Sequence, residues 1–379
     1  MSEWMEIAFK DACSFSYGKM PKKEKIGHGS FQIFTGYKYL DSYPEYNCDQ
    51  GDVIVVARGV GGSGDVKIVN KKSYLTNLSI KFTLNNEILL NTYCFYYFQW
   101  NNLRYLDSGS AQSQITINDL EKVILKLPSR PEQKAIASVL SSLDDKIDLL
   151  HRQNKTLESM AETLFRQWFD VDSNDEWQEK NVLDIFTLVG GGTPKTSVAE
   201  YWTDEIPWIS GGDISAAHQG YLYSTEKSIS LAGLQNSSAK LLPKNSTVIS
   251  ARGTVGKYAL LARDMAFSQS NYGIISKIGS YPFFIYLLVG FIVDDLLTAA
   301  YGSVFDTITT RTFESVNLKF PSLNSIEKFN EEISPIFSKK ETNTQQIKSL
   351  ETLRDTLLPK LMSGEVRVQY AEEKLESVA

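Results

Sequence analysis

The chain is short of the residues that most often announce a chemistry. Its 379 residues hold three cysteines, Cys13, Cys48 and Cys94, an odd number at wide spacing. That excludes a full set of disulfides and gives no metal-ligand spacing, so a reduced, cytoplasmic protein is expected. The three histidines, His28, His151 and His218, are scattered, so surface positions are expected for them and no metal or cofactor. Positive charge is also scarce. Lys and Arg number 39 against 45 Asp and Glu, a net charge of −6, which argues against a nucleic-acid binder acting alone. The longest apolar run, Phe283 to Val293, stops at Asp294-Asp295, short of the roughly 17–25 residues of a membrane span. Met1-Ser2-Glu3-Trp4 leads into acidic and polar residues, which is not the pattern of a signal peptide.

Catalytic motifs are missing as well. Gly256-Lys257 suggests a phosphate loop, but Ala251 stands where its first glycine is required and Tyr258 where Ser or Thr is. No Asn-Pro-Pro-aromatic methyltransferase motif occurs. Asp144-Asp145-Lys146 could mimic nuclease carboxylates, yet it falls on a helix face and reads as solvated charge.

What the sequence does contain, it contains twice. Aligning Gly109-Ser110 with Gly302-Ser303 sets an offset of 193, and Ile115-Thr116 then meets Ile308-Thr309, Leu120 meets Phe313, and Leu127-Pro128 meets Phe320-Pro321. Tyr93, Phe98 and Leu103 fall on Tyr286, Phe291 and Leu296, and one gap upstream Ala57-Arg58-Gly59 matches Ala251-Arg252-Gly253. Glu3-Trp4 echoes Glu176-Trp177. An ordered series of this kind marks an internal repeat. Each half reads as a mixed α/β unit followed by a long helix. The aromatic run Tyr93, Phe95, Tyr96, Tyr97 and Phe98 reads as a core helix.

In the first long helix Ile136, Leu140, Leu143, Ile147, Leu150, Asn154, Leu157, Ala161, Leu164 and Trp168 alternate by four and three, the seam of a coiled coil. Ser129-x-x-Glu132 forms a capping box before it, with Pro131 in the first turn. The second helix keeps the register through Phe329, Ile333, Ile336, Lys340, Asn343, Ile347, Leu350, Arg354, Leu357 and Leu361. Pro335 and Pro359 predict a kink or an end near each. Antiparallel pairing with Asn154 opposite Asn343 makes all partner numbers sum to 497, which places Leu157 opposite Lys340 and Leu143 opposite Arg354. The alternatives are helices packed each on its own domain, or a homodimer.

The expected fold class is therefore α+β: two repeated domains separated by two long helices in an antiparallel coiled coil, with pseudo-two-fold symmetry. The segments are 1–128, a helix over 129–170, a second domain over 171–321, a helix over 322–365 and an acidic, flexible tail over 366–379. Helices of about 35 residues run roughly 50 Å, the scale of the 34–36 Å repeat of duplex DNA. Such a spacer suits two readers on two separated half-sites.

Several motifs together resemble the specificity subunits of type I restriction–modification systems, over nearly the whole chain. Gly191-Gly192-Thr193-Pro194, Glu200-Tyr201-Trp202, Ile206-Pro207-Trp208-Ile209 and Gly212-Asp213-Ile214 resemble the opening of that family's target-recognition domain. Ser250 to Lys257 is similar to its Arg-Gly-x-x-Gly loop, and Leu357-Leu358-Pro359-Lys360-Leu361 with Gly364-Glu365 is similar to its ending. Leu127-Pro128 with Glu132-Gln133 and Ile136 resembles the start of its central helix. The first domain departs from the pattern, with Tyr17-Gly18-Lys19-Met20-Pro21 at its opening and Arg58-Gly59-Val60-Gly61-Gly62 at its loop; the second helix begins with Ser325-Ile326. The resemblance implies DNA reading without catalysis. It also implies partners: double-stranded DNA, two adenine-methylating modification subunits and ATP-dependent restriction subunits. A fused modification–restriction enzyme is disfavoured by the missing motifs. A two-domain protein-interaction scaffold is the other alternative.

Phosphates and base edges are met by Arg, Lys, Asn, Gln and hydroxyls. The candidate DNA contacts are accordingly Arg252, Thr254 and Lys257 on the glycine turn, Arg58 at the equivalent point, and Lys195 beside the Gly-Gly-Thr-Pro opening. The basic run Lys22, Lys23 and Lys25 and the polar residues Gln112, Gln114, Gln269 and Asn271 complete the set. A glycine turn serving only the fold, and a solvated lysine loop, are the competing accounts.

Overall fold

The computed structural model describes residues 4–59, 63–107, 114–169, 177–301 and 307–368. Contacts divide the chain into two units, 1–148 with 349–379, and 149–348. Each unit thus takes one stretch of both long helices, Arg130–Trp168 and Leu323–Ser363.

The first unit opens with strand Met5–Ala8, which closes antiparallel on Ile124–Leu127. Between them stands a four-stranded sheet in the order Cys13–Tyr17, Ser79–Leu84, Val53–Val56, Val66–Ile68. A three-stranded sheet follows the order Tyr39–Tyr43, Phe31–Phe34, Ser73–Leu75, its last pair parallel. Val53–Val56 is buried throughout, as expected of a β-branched run at the centre of a sheet. Helix Asn91–Trp100 buries Tyr93, Tyr96, Tyr97 and Phe98 in the core with Phe9 and Phe82, as the aromatic run predicts.

The second unit repeats this plan. Gln178–Asn181 closes on Asn317–Phe320. Its larger sheet runs Phe186–Gly190, Asn271–Ser276, Thr247–Ser250, Tyr258–Leu261, with Tyr221–Leu222 added at the edge. Its smaller sheet runs Lys227–Ile229, Ile206–Ile209, Met265–Phe267, Leu241–Leu242. The apolar run lies in helix Pro282–Ala300, which is long and apolar enough to cross a membrane; here it buries Phe284 to Val289, Ile292 and Leu296 in the unit's core.

The two long helices pair antiparallel. In the second unit Asn343 donates to Asn154 Oδ1 at 3.0 Å and Asn154 to Thr344 at 3.1 Å, so the register summing to 497 holds at the asparagines. Lys340 pairs with Glu158, and Trp168 Nε1 donates to Glu332 at 3.0 Å. In the first unit Arg354 meets Asp144 at 2.9 Å. Both cations placed opposite leucines are therefore met by a carboxylate one position along. Asp144, read as solvated, is half-buried and also accepts from Tyr96 at 2.6 Å.

Three expectations are corrected. The seam rotates: in the second unit Ala161 is buried as expected, but Glu158 and Phe165 are buried while Leu157 and Leu164 are only half-buried, and Phe337 is buried in place of Ile336. A straight helix drifts about 20° per heptad from a strict seven-residue repeat, and here the helix must also face Phe284 and Tyr286 of its own domain. Second, the helix does not end near Pro335 but runs on to Ser363, four residues past Pro359. Both prolines are exposed, as are Glu331 and Asp355 four residues earlier, so the carbonyls that each proline frees lie on a solvent-facing side of the helix. Third, the tail is anchored at its start. Arg367 donates to both oxygens of Glu132 at 2.7 and 2.8 Å and lies over Trp4. Glu132, whose side chain is 1% exposed, thus directs its carboxylate to the far end of the chain. Residues 369–379 lie outside the described residues.

Candidate nucleic-acid interface

In the second unit, strand Thr247–Ser250 runs into a tight turn that returns as Tyr258–Leu261. Gly256 N–H donates to the Ser250 carbonyl at 3.0 Å and Ser250 N–H to the Lys257 carbonyl at 2.7 Å. The Thr254 hydroxyl lies 3.0 Å from Ser250 Oγ and 3.2 Å from the Gly211 carbonyl. Gly253 has φ +76°, a conformation costly for any side chain, and a Cβ there would meet only open space. The turn is therefore pinned from within while Arg252 and Lys257 stand exposed outside it. Thr254 serves mainly to hold the turn.

The first unit builds the same frame. Ile115 N–H donates to the Ala57 carbonyl at 2.9 Å, as Ile308 does to Ala251 at 3.1 Å. Arg58 and Gln114 form an adjoining antiparallel bridge, which brings together two residues picked separately from the sequence. Arg58 is exposed and Gln114 half-buried; Gln112 lies outside the described residues.

The Gly-Gly-Thr-Pro opening serves the fold. A Cβ on Gly192 would collide with the backbone of Ser238, and Trp208 Nε1 donates to the Gly192 carbonyl at 2.9 Å. The half-buried Thr193 donates to the exposed Gln269, joining two loops beside the exposed Lys195. Asn271 is corrected from a surface reader to an interior residue. It is 2% exposed, and its amide donates to Ser268 Oγ at 2.9 Å. In the other domain Lys22 and Lys23 are exposed, but Lys25 is paired with Glu45.

Three residues escaped the sequence reading. Lys67, Lys71 and Lys72 lie over the rings of Tyr37, Tyr39 and Tyr46 at 5.5, 4.5 and 4.6 Å. Their only sequence signal was lysine and tyrosine in one domain; the fold sets each lysine over a ring, with Lys72 also paired to Asp49, in contacts of a cationic, aromatic kind that nucleic acids favour.

Behind the Arg252–Lys257 turn lies a cavity of about 360 Å³ lined in part by Glu162, Arg166, His218, Gln219 and Asp294. Burial pulls the His218 imidazole below its ordinary value and nearby Lys257 adds to this. In the first unit, Asp144 raises the Arg354 guanidinium further above its usual range.

The fold and its matching backbone ties at Ala57 and Ala251 define a class of protein built from one domain used twice, each copy closed on a share of two long helices. The family profile described as "Type I restriction modification DNA specificity domain" matches residues 1–159 and 174–352, and the chain belongs to that family. It is 25% identical to the type I restriction enzyme MjaIX specificity subunit of Methanocaldococcus jannaschii, over 79% of this chain and 75% of that one. It is 24% identical to the HindI specificity subunit of Haemophilus influenzae, over 67% and 71%. The crystal structure of a type I restriction–modification S subunit from M. genitalium has the same fold, with a TM-score of 0.66 at 17% identity over 94% of this chain and 96% of that one.

Proposed function

We propose that the chain reads an asymmetric, bipartite duplex target, one half through residues 1–128 and the other through 171–321, and performs no catalysis itself. One observation carries this reading. The same frame presents an exposed arginine, Arg58 or Arg252, twice, tied at the same backbone point, while the residues around it differ between the copies. An identical frame with a different rim is the arrangement for two unlike half-sites. Arg58, Arg252, Lys195 and Lys257 take phosphates, with Lys22 and Lys23 in the first domain; Gln114 and Gln269 are the nearest base readers.

Net charge of −6 leaves much of the phosphate neutralisation to partners. Those are two adenine-methylating modification subunits and ATP-dependent restriction subunits, which carry methyl transfer and cleavage in the cytoplasm. The helices over 129–170 and 322–365 act as the spacer.

Methylome sequencing of a host carrying this chain with its modification subunit tests the reading. An interrupted, adenine-methylated motif with two unlike halves is expected. A continuous motif, or none, would overturn it. Binding of that complex to its duplex should also weaken steeply with salt; a duplex affinity indifferent to salt would favour a protein-interaction scaffold instead.

A further inference from the structure

Lys340 is 3% exposed, the one buried lysine among the described residues. Its ammonium pairs with Glu158 on the other long helix and lies 3.4 Å from the carbonyl oxygen of Gln219. Tyr286 completes the group by donating to Glu158 at 2.9 Å. A buried ion pair is seldom the cheapest filling for such a space, because apolar residues of similar volume usually serve stability as well or better. Something other than stability is being specified.

Gln219 shows what. Its φ of +57° is left-handed, one of two such non-glycine residues among the described residues. Backbone strain of this kind persists only where surrounding contacts impose it. The Gln219 N–H donates at 3.0 Å to the carbonyl of Tyr258, the residue directly after Lys257. A continuous path of polar contacts therefore runs from Glu158 through Lys340 and Gln219 to the end of the exposed turn.

We propose that Lys340 is a positioning residue for the Arg252–Lys257 turn: seated by Glu158, it holds Gln219 in its left-handed conformation and thereby sets the turn for reading its half-site. This rests on the reading of that turn as a DNA contact. Lys340 itself touches no nucleic acid. Loss of the tether lets the backbone at Gln219 relax, so the turn samples other orientations and wrong bases are no longer rejected.

The test uses the complex with the modification subunit, assaying methyl transfer on the cognate duplex and on duplexes with one base changed in either half-site. The double variant Glu158→Leu/Lys340→Met removes both charges at once and leaves neither one buried alone. It leaves the Tyr286 hydroxyl without its acceptor, so its thermal midpoint falls somewhat while it stays folded, and it is expected to lose about tenfold in discrimination at the half-site read by residues 171–321, with the other half-site unaffected. Adding Gln219→Gly, which adopts positive φ without strain, is expected to recover most of that loss. Gln219→Val approaches the same link from an exposed position and should show the same one-sided loss, whether or not the double variant folds. Unchanged discrimination in a folded variant, or equal loss at both half-sites, overturns the tether. A wild-type complex that discriminates at neither half-site overturns the DNA reading and the tether with it.

Discussion

Arg252 and Arg58 occupy equivalent positions in two copies of a domain, and both are exposed next to a backbone carbonyl, of Ala251 or Ala57, that accepts the same hydrogen bond. Arg252→Ala should weaken binding of the complex to all duplexes alike and lower the slope of log affinity against log salt by about one. An unchanged slope would remove Arg252 from the phosphate contacts. Individual residues were the least legible level of the sequence. Asn271 and Gln269 are two positions apart in one polar stretch, yet Gln269 lies on the exposed turn before strand Asn271–Ser276 while Asn271 opens that strand facing the core, and only the packed sheet decides where turn gives way to strand. Lys25 was equally opaque, since Glu45 reaches it from a loop twenty residues on.

The long helices were far more legible as elements, because apolar residues recurring every three to four positions mark a helix with one buried side. The pairing of Asn154 with Asn343 could be set from the pattern alone. What the pattern missed was rotation: Glu158 and Phe165 face the interior where Leu157 and Leu164 were expected, since a second neighbour, the domain helix Pro282–Ala300, competes for the buried side. Asn343 is 0% exposed, so Asn343→Ala, which removes the donor to Asn154 Oδ1, should cost about 1–3 kcal/mol of stability by chemical denaturation. The paired replacement Asn154→Leu/Asn343→Leu should instead leave stability equal or higher while loosening register. A double variant less stable than the single one would contradict that account.

Over the whole molecule, the repeat at an offset of 193 became two units of matching strand order. Exchanging residues 1–128 for those of a relative should alter one half of the methylated motif and leave the other and its adenine unchanged; a change in both halves would mean the domains do not read independently. The anchored tail gives a second prediction. Arg367→Ala leaves the Glu132 carboxylate buried without its cation and should cost about 1–3 kcal/mol, read as a lower midpoint in urea, with the adenine-methylated motif unaltered. Deleting the chain after 368 should leave that midpoint where it is.

The sequence by itself determined the repeat, the two helices, their antiparallel register and the family, because these rest on periodicity and on local residue order that survive without coordinates. Tertiary structure alone decided which polar groups are buried and with whom. Glu132 finds Arg367 across 235 positions, and Lys340 finds Glu158 and Gln219 from three separate segments. Such pairings depend on where the chain returns in space, and charge alone does not encode that.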